Sequence, residues 1–241
     1  GTVITIAESA FNEEVLWSGT DDGNVQVTRD GGRTWTDVTN NIGMPHNTWI
    51  SRVETSAHDP AVAYVSGDGH RAADFEPYIY KTADYGETWT KITNGIPNNQ
   101  PVYVVTEDPQ NPDLLYAGTE FGIFYTMNGG DSWNPLQRNL PVVAVHDIVV
   151  HPRDNDLIIG THGRGIWIMD DVWMLQQATD EVLSSDAYLF DGDVATRWLS
   201  ISPMGTGGPY GFDGENPTKN AVIGFYLGAG ASGEVEVEIS D

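Results

Sequence analysis

The chain has 241 residues, with 35 acidic against 11 basic side chains, a net charge of −24 and no cysteine. So acidic a surface repels phosphate backbones and anionic lipid, which sets nucleic acid aside as a partner. The missing thiols remove disulfides, thiolate metal sites and cysteine nucleophiles. No apolar run reaches the length of a membrane span and no signal peptide opens the chain.

The first element is a strand-like run over residues 2–7. Next comes Val15-Leu-Trp-Ser-Gly-Thr-Asp-Asp-Gly23, a strand closing on a Gly-containing turn, and then Thr28-Arg-Asp-Gly-Gly-Arg-Thr-Trp35. The same succession returns: a strand ending at His58-Asp-Pro60, Val62-Ala-Tyr-Val-Ser-Gly67, and Thr82-Ala-Asp-Tyr-Gly-Glu-Thr-Trp89. A third copy runs through Val102 to Pro109, Leu114 to Gly122, and Thr126-Met-Asn-Gly-Gly-Asp-Ser-Trp133. A fourth reads Val145 to Pro152, Leu157-Ile-Ile-Gly-Thr-His-Gly-Arg-Gly165 and Ile166-Trp-Ile-Met-Asp-Asp171, without a complete third motif.

The motif [S/T]-x-[D/N]-x-G-x-[T/S]-W suits a hairpin turn. Asp30, Asp84 and Asn128 turn back on their own backbone, glycine takes the positive φ, and the hydroxyls tie the ends. Trp35, Trp89 and Trp133 then enter the next strand and pack between layers. Four repeats of four short strands predict an all-β fold, the blades of a β-propeller, which must stack because a single blade cannot bury both of its faces.

These motifs resemble bacterial Asp-box (BNR-like) propeller proteins related to sortilin-type receptor domains and Asp-box glycoside hydrolases. The most specific strings are Asp68-Gly-His-Arg71, Tyr116 to Gly122, and His151 to Asp156 running into Gly160-Thr-His-Gly-Arg-Gly-Ile-Trp167. The resemblance covers residues 1–175. It implies an exported protein, secreted, periplasmic or at the cell surface, with further blades beyond these four; strand-like runs at both ends, residues 2–7 and 234–239, give the expectation of an internal piece of a longer polypeptide. It also implies that residues 176–186 form a linker, with a short helix at Met174 to Ala178 and a polar connector over 180–186. Residues 187–241 are then the start of an immunoglobulin-like β-sandwich, with turns at Gly205 to Pro209 and strands at 221–227 and 234–239.

Strand alternation puts the Asp boxes on one face of the ring, together with the first turn of each blade. The turns between second and third strands lie on the other face. Those turns carry Asp21, Asp22, Asp68, His70, Arg71, Asp74, Glu120, His162 and Arg164. Any one of them is explained by hydrogen bonding that closes a turn or a blade contact; gathered at equivalent turns, they mark the face where a ligand is expected. Asp21, Asp22, His70, Arg71, His162 and Arg164 are the binding candidates. Glu120, Asp68 and Asp74 are the carboxylates a glycoside hydrolase would use as a pair.

No spacing demands a metal or a cofactor, although acidic turns suit calcium. The leading expectation is a non-catalytic module that binds a protein, peptide or glycan on this face. A polysaccharide hydrolase comes second, and a structural subunit that pairs its blade edges with other chains comes third.

Overall fold

The computed structural model describes residues 1–195 and 220–239, which fall into two compact units, Gly1–Val172 and Trp173–Asp241. The first unit is a run of β-propeller blades. Blade one is β1 (Val3–Glu8), β2 (Leu16–Thr20), β3 (Val25–Thr28) and β4 (Thr36–Asp37). Blade two is β5 (Trp49–Thr55), β6 (Ala63–Asp68), β7 (Tyr78–Thr82) and β8 (Thr90–Lys91). Blade three is β9 (Val102–Glu107), β10 (Leu115–Thr119), β11 (Gly122–Thr126) and β12 (Asn134–Pro135). Each is an antiparallel meander in chain order.

Blade four stops at three strands, β13 (Val145–Val150), β14 (Leu157–Thr161) and β15 (Ile166–Met169). Among the described residues the fourth strand expected here does not form; those after β15 lack the hydroxyl and glycine that fold the box. The chain leaves instead through Asp171 at a φ of 60°, and Val172 donates its N–H to the Asn155 carbonyl at 2.8 Å.

The boxes are closed by their own side chains. The Thr28 hydroxyl donates to Asp30 and accepts the Gly32 N–H at 3.0 Å, while the two Asp30 oxygens accept the Thr34 N–H and hydroxyl at 2.8 and 2.6 Å. Thr82, Asp84 and Thr88 repeat this, and Asn128 does so with its amide, donating to Ser132 Oγ at 3.0 Å. Gly31 and Gly129 donate to the carbonyls of Glu14 and Asp113, so each box is tied to the first turn of its own blade.

The cores lie between blades. Trp17, Val25 and Val27 of blade one pack with Ile50, Val53, Val65 and Tyr80 of blade two. Tyr64 and Ile79 of blade two pack with Val105, Leu115, Phe124 and Trp133 of blade three. Full burial of each such side chain stabilises the fold by roughly 1.5–3 kcal/mol. The glycine in the second strand of blades one and three has a steric cause. A Cβ on Gly19 would stand 2.4 Å from Ile50 of the next blade, and one on Gly118 would stand 2.6 Å from the Val145 carbonyl oxygen.

Two of the box tryptophans pack toward the preceding blade. Trp133 is buried and donates from Nε1 to the Ile92 carbonyl at 2.7 Å, and Trp89 meets Trp17 edge-on at 5.9 Å. Trp35 has no blade before it among the described residues and is 40% exposed, which departs from the expectation that all three would pack between layers.

In the second unit the predicted polar connector is partly helical. Short helices span Trp173–Gln177 and Asp180–Ser184, and the Thr179 hydroxyl caps the second by accepting the Val182 N–H. β16 (Ala187–Leu189) pairs antiparallel with β17 (Phe225–Leu227). The strand expected at 221–227 is therefore shorter, and residues 234–239 join no ladder. The turn expected at Gly205 to Pro209 lies outside the described residues.

Candidate functional site

In every blade the first strand carries one residue more than its partner near its start. Val3 and Thr5 face Thr20 and Gly19, Ile50 and Arg52 face Gly67 and Ser66, Val102 and Val104 face Thr119 and Gly118, and Val145 and Asp147 face Thr161 and Gly160. The extra residues are Ile4, Ser51, Tyr103 and His146. A bulge of this kind breaks the alternation of the strand and re-aims one side chain. Three of the four, Ser51, Tyr103 and His146, line a single cavity of about 780 Å³.

The turns between second and third strands complete its wall. Asp68 ends β6, His70 and Arg71 lie in a single 3-10 turn after it, Glu120 and Phe121 sit between β10 and β11, and His162 follows β14. The structure thus brings together Asp68, His70, Arg71, Glu120 and His162, five of the nine expected residues.

The contacts inside the cavity form one continuous chain. Asp68 is 7% exposed and accepts both the His70 backbone N–H at 3.0 Å and His70 Nδ1–H at 2.5 Å. This directs His70 Nδ1 at the carboxylate. His70 meets Tyr103 edge-on at 6.4 Å, Tyr103 stacks on His146 at 4.2 Å with 19° between planes, and His146 meets His162 edge-on at 5.1 Å. The Tyr103 hydroxyl donates to Glu120 Oε2. Burial, then this bond to Glu120, pushes the Tyr103 hydroxyl well above the ordinary phenol range. Burial, then the neighbouring His162, holds His146 below the usual imidazole range. Across the mouth, the Arg71 guanidinium lies 3.9 Å over the Trp49 ring.

The other four expected residues stand apart. Asp74 accepts the Tyr78 hydroxyl at 2.7 Å and the Glu76 N–H at 3.1 Å, and it lines a smaller adjoining hollow with Asp21. Asp21 accepts the Thr2 N–H at 2.6 Å. Asp22 accepts the Thr20 hydroxyl at 2.6 Å and Asn24 Nδ2–H at 2.8 Å, which makes it a turn-closing acid. Arg164 is exposed outside the large cavity, and its carbonyl accepts the Trp167 indole N–H. Among the described residues no three His, Asp or Glu side chains converge as a metal ion requires. No helix among them is long and apolar enough to cross a membrane.

Sequence reasoning missed Trp49, Phe75, Tyr103, Phe121 and His146. The repeats align Ser51, Tyr103 and His146 in one column, at the strand starts and away from the turns.

No family model matches the chain. It is 26% identical over 103 residues to an uncharacterized membrane glycoprotein of Saccharomyces cerevisiae. It is 28% identical over 81 residues to a Neosartorya fischeri protein described as a "Probable oligoxyloglucan-reducing end-specific xyloglucanase". These matches cover 41% and 32% of the chain but only 8% and 10% of the relatives, so the chain spans about a tenth or less of their length. Among solved structures, a GH74 enzyme of Niastella koreensis superposes with a TM-score of 0.55 at 18% identity, covering 70% of this chain and 29% of that one. This likeness is one of fold, and with the sheet order it makes the first unit part of a β-propeller.

Proposed function

We propose that the chain is the recognition part of an exported propeller protein and that its large cavity binds a glycan without cleaving it. The carrying observation is the cavity wall itself. Trp49, Phe75, Tyr103 and Phe121 offer aromatic surface, while His146 and His162 offer hydrogen-bonding groups of the kind that fix hydroxyls. The candidate acids are engaged with their own neighbours: Asp68 with His70, Glu120 with Tyr103 and Asp74 with Tyr78. A hydrolase needs one carboxyl free to protonate the leaving oxygen and another to attack or to activate water. Export is what the Asp-box resemblance implies.

Hydrolysis is the second reading. It is favoured by the xyloglucanase match and by Asp68 and Glu120 facing one cavity. Calorimetric titration with a panel of oligosaccharides, xyloglucan fragments among them, tests both. Binding that Tyr103→Ala and His146→Ala each weaken at least tenfold, with no release of reducing ends, supports recognition. Turnover abolished by Glu120→Gln or Asp68→Asn overturns it in favour of a hydrolase. Neither binding nor turnover on any glycan removes both readings.

A further inference from the structure

The large cavity adjoins a second hollow of about 380 Å³, and the two share Trp49, Asp68 and Arg71. Trp49 opens β5 and Asp68 ends β6, where they face each other as the last pair of that ladder. The rim between the hollows is therefore one facing pair of residues, with the Arg71 guanidinium laid 3.9 Å over the indole. A chain-like ligand seated in the first cavity meets this rim as its way into the second.

Two segments build the second hollow. Between β6 and β7 blade two carries residues 69–77, where blade three has only 120–121. This insertion folds back on itself. The Ala72 and Asp74 N–H groups both donate to the Gly69 carbonyl, at 2.8 and 3.1 Å, and the Asp74 carboxylate holds Glu76 and Tyr78. The other segment is the connection from blade one to blade two, where Thr48 donates its hydroxyl to the Pro45 carbonyl at 2.8 Å. It lies so close to the turn of blade one that a Cβ on Gly23 would stand 2.9 Å from the Thr48 carbonyl oxygen. Each segment holds a non-glycine residue in the left-handed region, Ala73 at a φ of 60° and Asn47 at 61°. Such conformations persist where the surrounding structure enforces them, and they gather at ligand-binding sites.

The walls of the two hollows differ in chemistry. The first offers the rings of Trp49, Phe75, Tyr103 and Phe121, of which the second shares Trp49 alone. The second is lined instead by polar side chains, Asp21, His46, Asn47 and Asp74 among them. We infer that the ligand is an oligosaccharide chain that crosses the Trp49–Asp68 rim and sets its further sugar units in the second hollow; this rests on the glycan reading of the first cavity. Sugar rings lie on the aromatic surface of the first, and hydroxyls of the next units meet the polar groups of the second. Three carboxylates, Asp21, Asp68 and Asp74, border that hollow on a chain of net charge −24, so the units it takes are neutral sugars and not uronic acids.

The test is calorimetric titration of the chain with gluco-oligosaccharides graded from disaccharide to hexasaccharide. Affinity should rise at least tenfold along the ladder and then level off. His46 and Ala72 are exposed and line the second hollow but not the first. His46→Ala, which removes a polar group, and Ala72→Leu, which fills the space, should each abolish most of that rise while the disaccharide binds within twofold of the parent. Circular dichroism and melting check that both variants keep their blades. A disaccharide that binds as tightly as the hexasaccharide, or a full rise in both folded variants, overturns the inference and leaves the first cavity a glycan site. Tighter binding of galacturonate oligomers of the same lengths overturns the assignment to neutral sugars. Failure of the parent to bind any length removes the glycan reading of the first cavity, and the second hollow falls with it.

Discussion

Arg52 of the second blade pairs with Asp147 of the fourth, past the inner strand of the blade between them. Both residues directly follow bulge residues that line the cavity, Ser51 and His146, so the pair ties the wall together from one position deeper along the strands. Its field reaches Glu54, whose carboxyl is pushed up to about 7 by burial, against the lowering charge of Arg52 and with the raising charges of Glu107 and Asp147. Asp147→Asn removes one raising charge and releases Arg52 from its partner. The Glu54 titration, read from its side-chain carboxyl carbon by NMR, should move below 7. A titration that stays put or rises would show that this pair does not set the local field.

Glu54 also makes stability depend on pH. Its folded-state value lies above the ordinary carboxylate value, so the protonated form contributes stability that is complete below about pH 4.5 and lost as pH rises through about 7. Glu54→Gln keeps the neutral shape and escapes this loss. It should gain on the order of 2 kcal/mol over the parent at about pH 8 and nothing at about pH 4.5, measured by urea unfolding at both. An equal gain at both would assign the effect to packing instead of charge.

The box aspartates act with the opposite sign. Asp30 is held down at about 2, first by the Thr34 hydroxyl and then by its backbone N–H and the Thr28 hydroxyl. Its contribution is present above the ordinary value of 3.8 and fades as pH falls toward about 2. Asn128 shows that an amide fits the same turn. Asp30→Asn should therefore melt below the parent near neutral pH, with the gap closing as the solution is acidified. A gap that persists at the acid end would point to a steric cause.

The three tryptophans should differ sharply in their contribution. Trp133 is 3% exposed and hydrogen-bonded to the preceding blade, so Trp133→Ala should cost ~3–5 kcal/mol. Trp35 is 40% exposed, and Trp35→Ala in this chain should stay within about 1 kcal/mol. Denaturant unfolding of both variants compares them directly; equal losses would mean that position in the blade order does not decide their packing.

Tyr103 separates the stacking role from the hydrogen-bonding role in the cavity. Tyr103→Phe keeps the ring against His146 and releases Glu120 Oε2. If glycan binding rests on the aromatic surface, affinity should change less than threefold by calorimetry, while Tyr103→Ala costs at least tenfold. A loss with phenylalanine as large as with alanine would assign recognition to the Tyr103–Glu120 bond.

The blades were legible in the sequence because the box is a local object. A hydroxyl, an Asp or Asn, a glycine and a tryptophan within eight residues close their own turn whatever surrounds them, as the bonds of Thr28, Asp30 and Thr34 do. The absence of a complete box after Met169 was equally visible in the sequence. That it leaves blade four at three strands became clear only from the ladders, as did the helix at Asp180–Ser184 within the predicted connector.

The cavity was half legible. Asp68, His70, Arg71, Glu120 and His162 sit on turns, and turns at equivalent points of a repeat must emerge on one face. Ser51, Tyr103 and His146 sit inside strands, where alternation alone would assign each side chain to one face or the other. A bulge is a mismatch between two strands, and no single strand records it. The turns, their spacing and the face they share could be read from the chain alone, because those depend on contacts a few residues apart. Which side chains meet in the cavity and which tryptophan is buried emerged from the packed fold, because both depend on how one blade is set against the next.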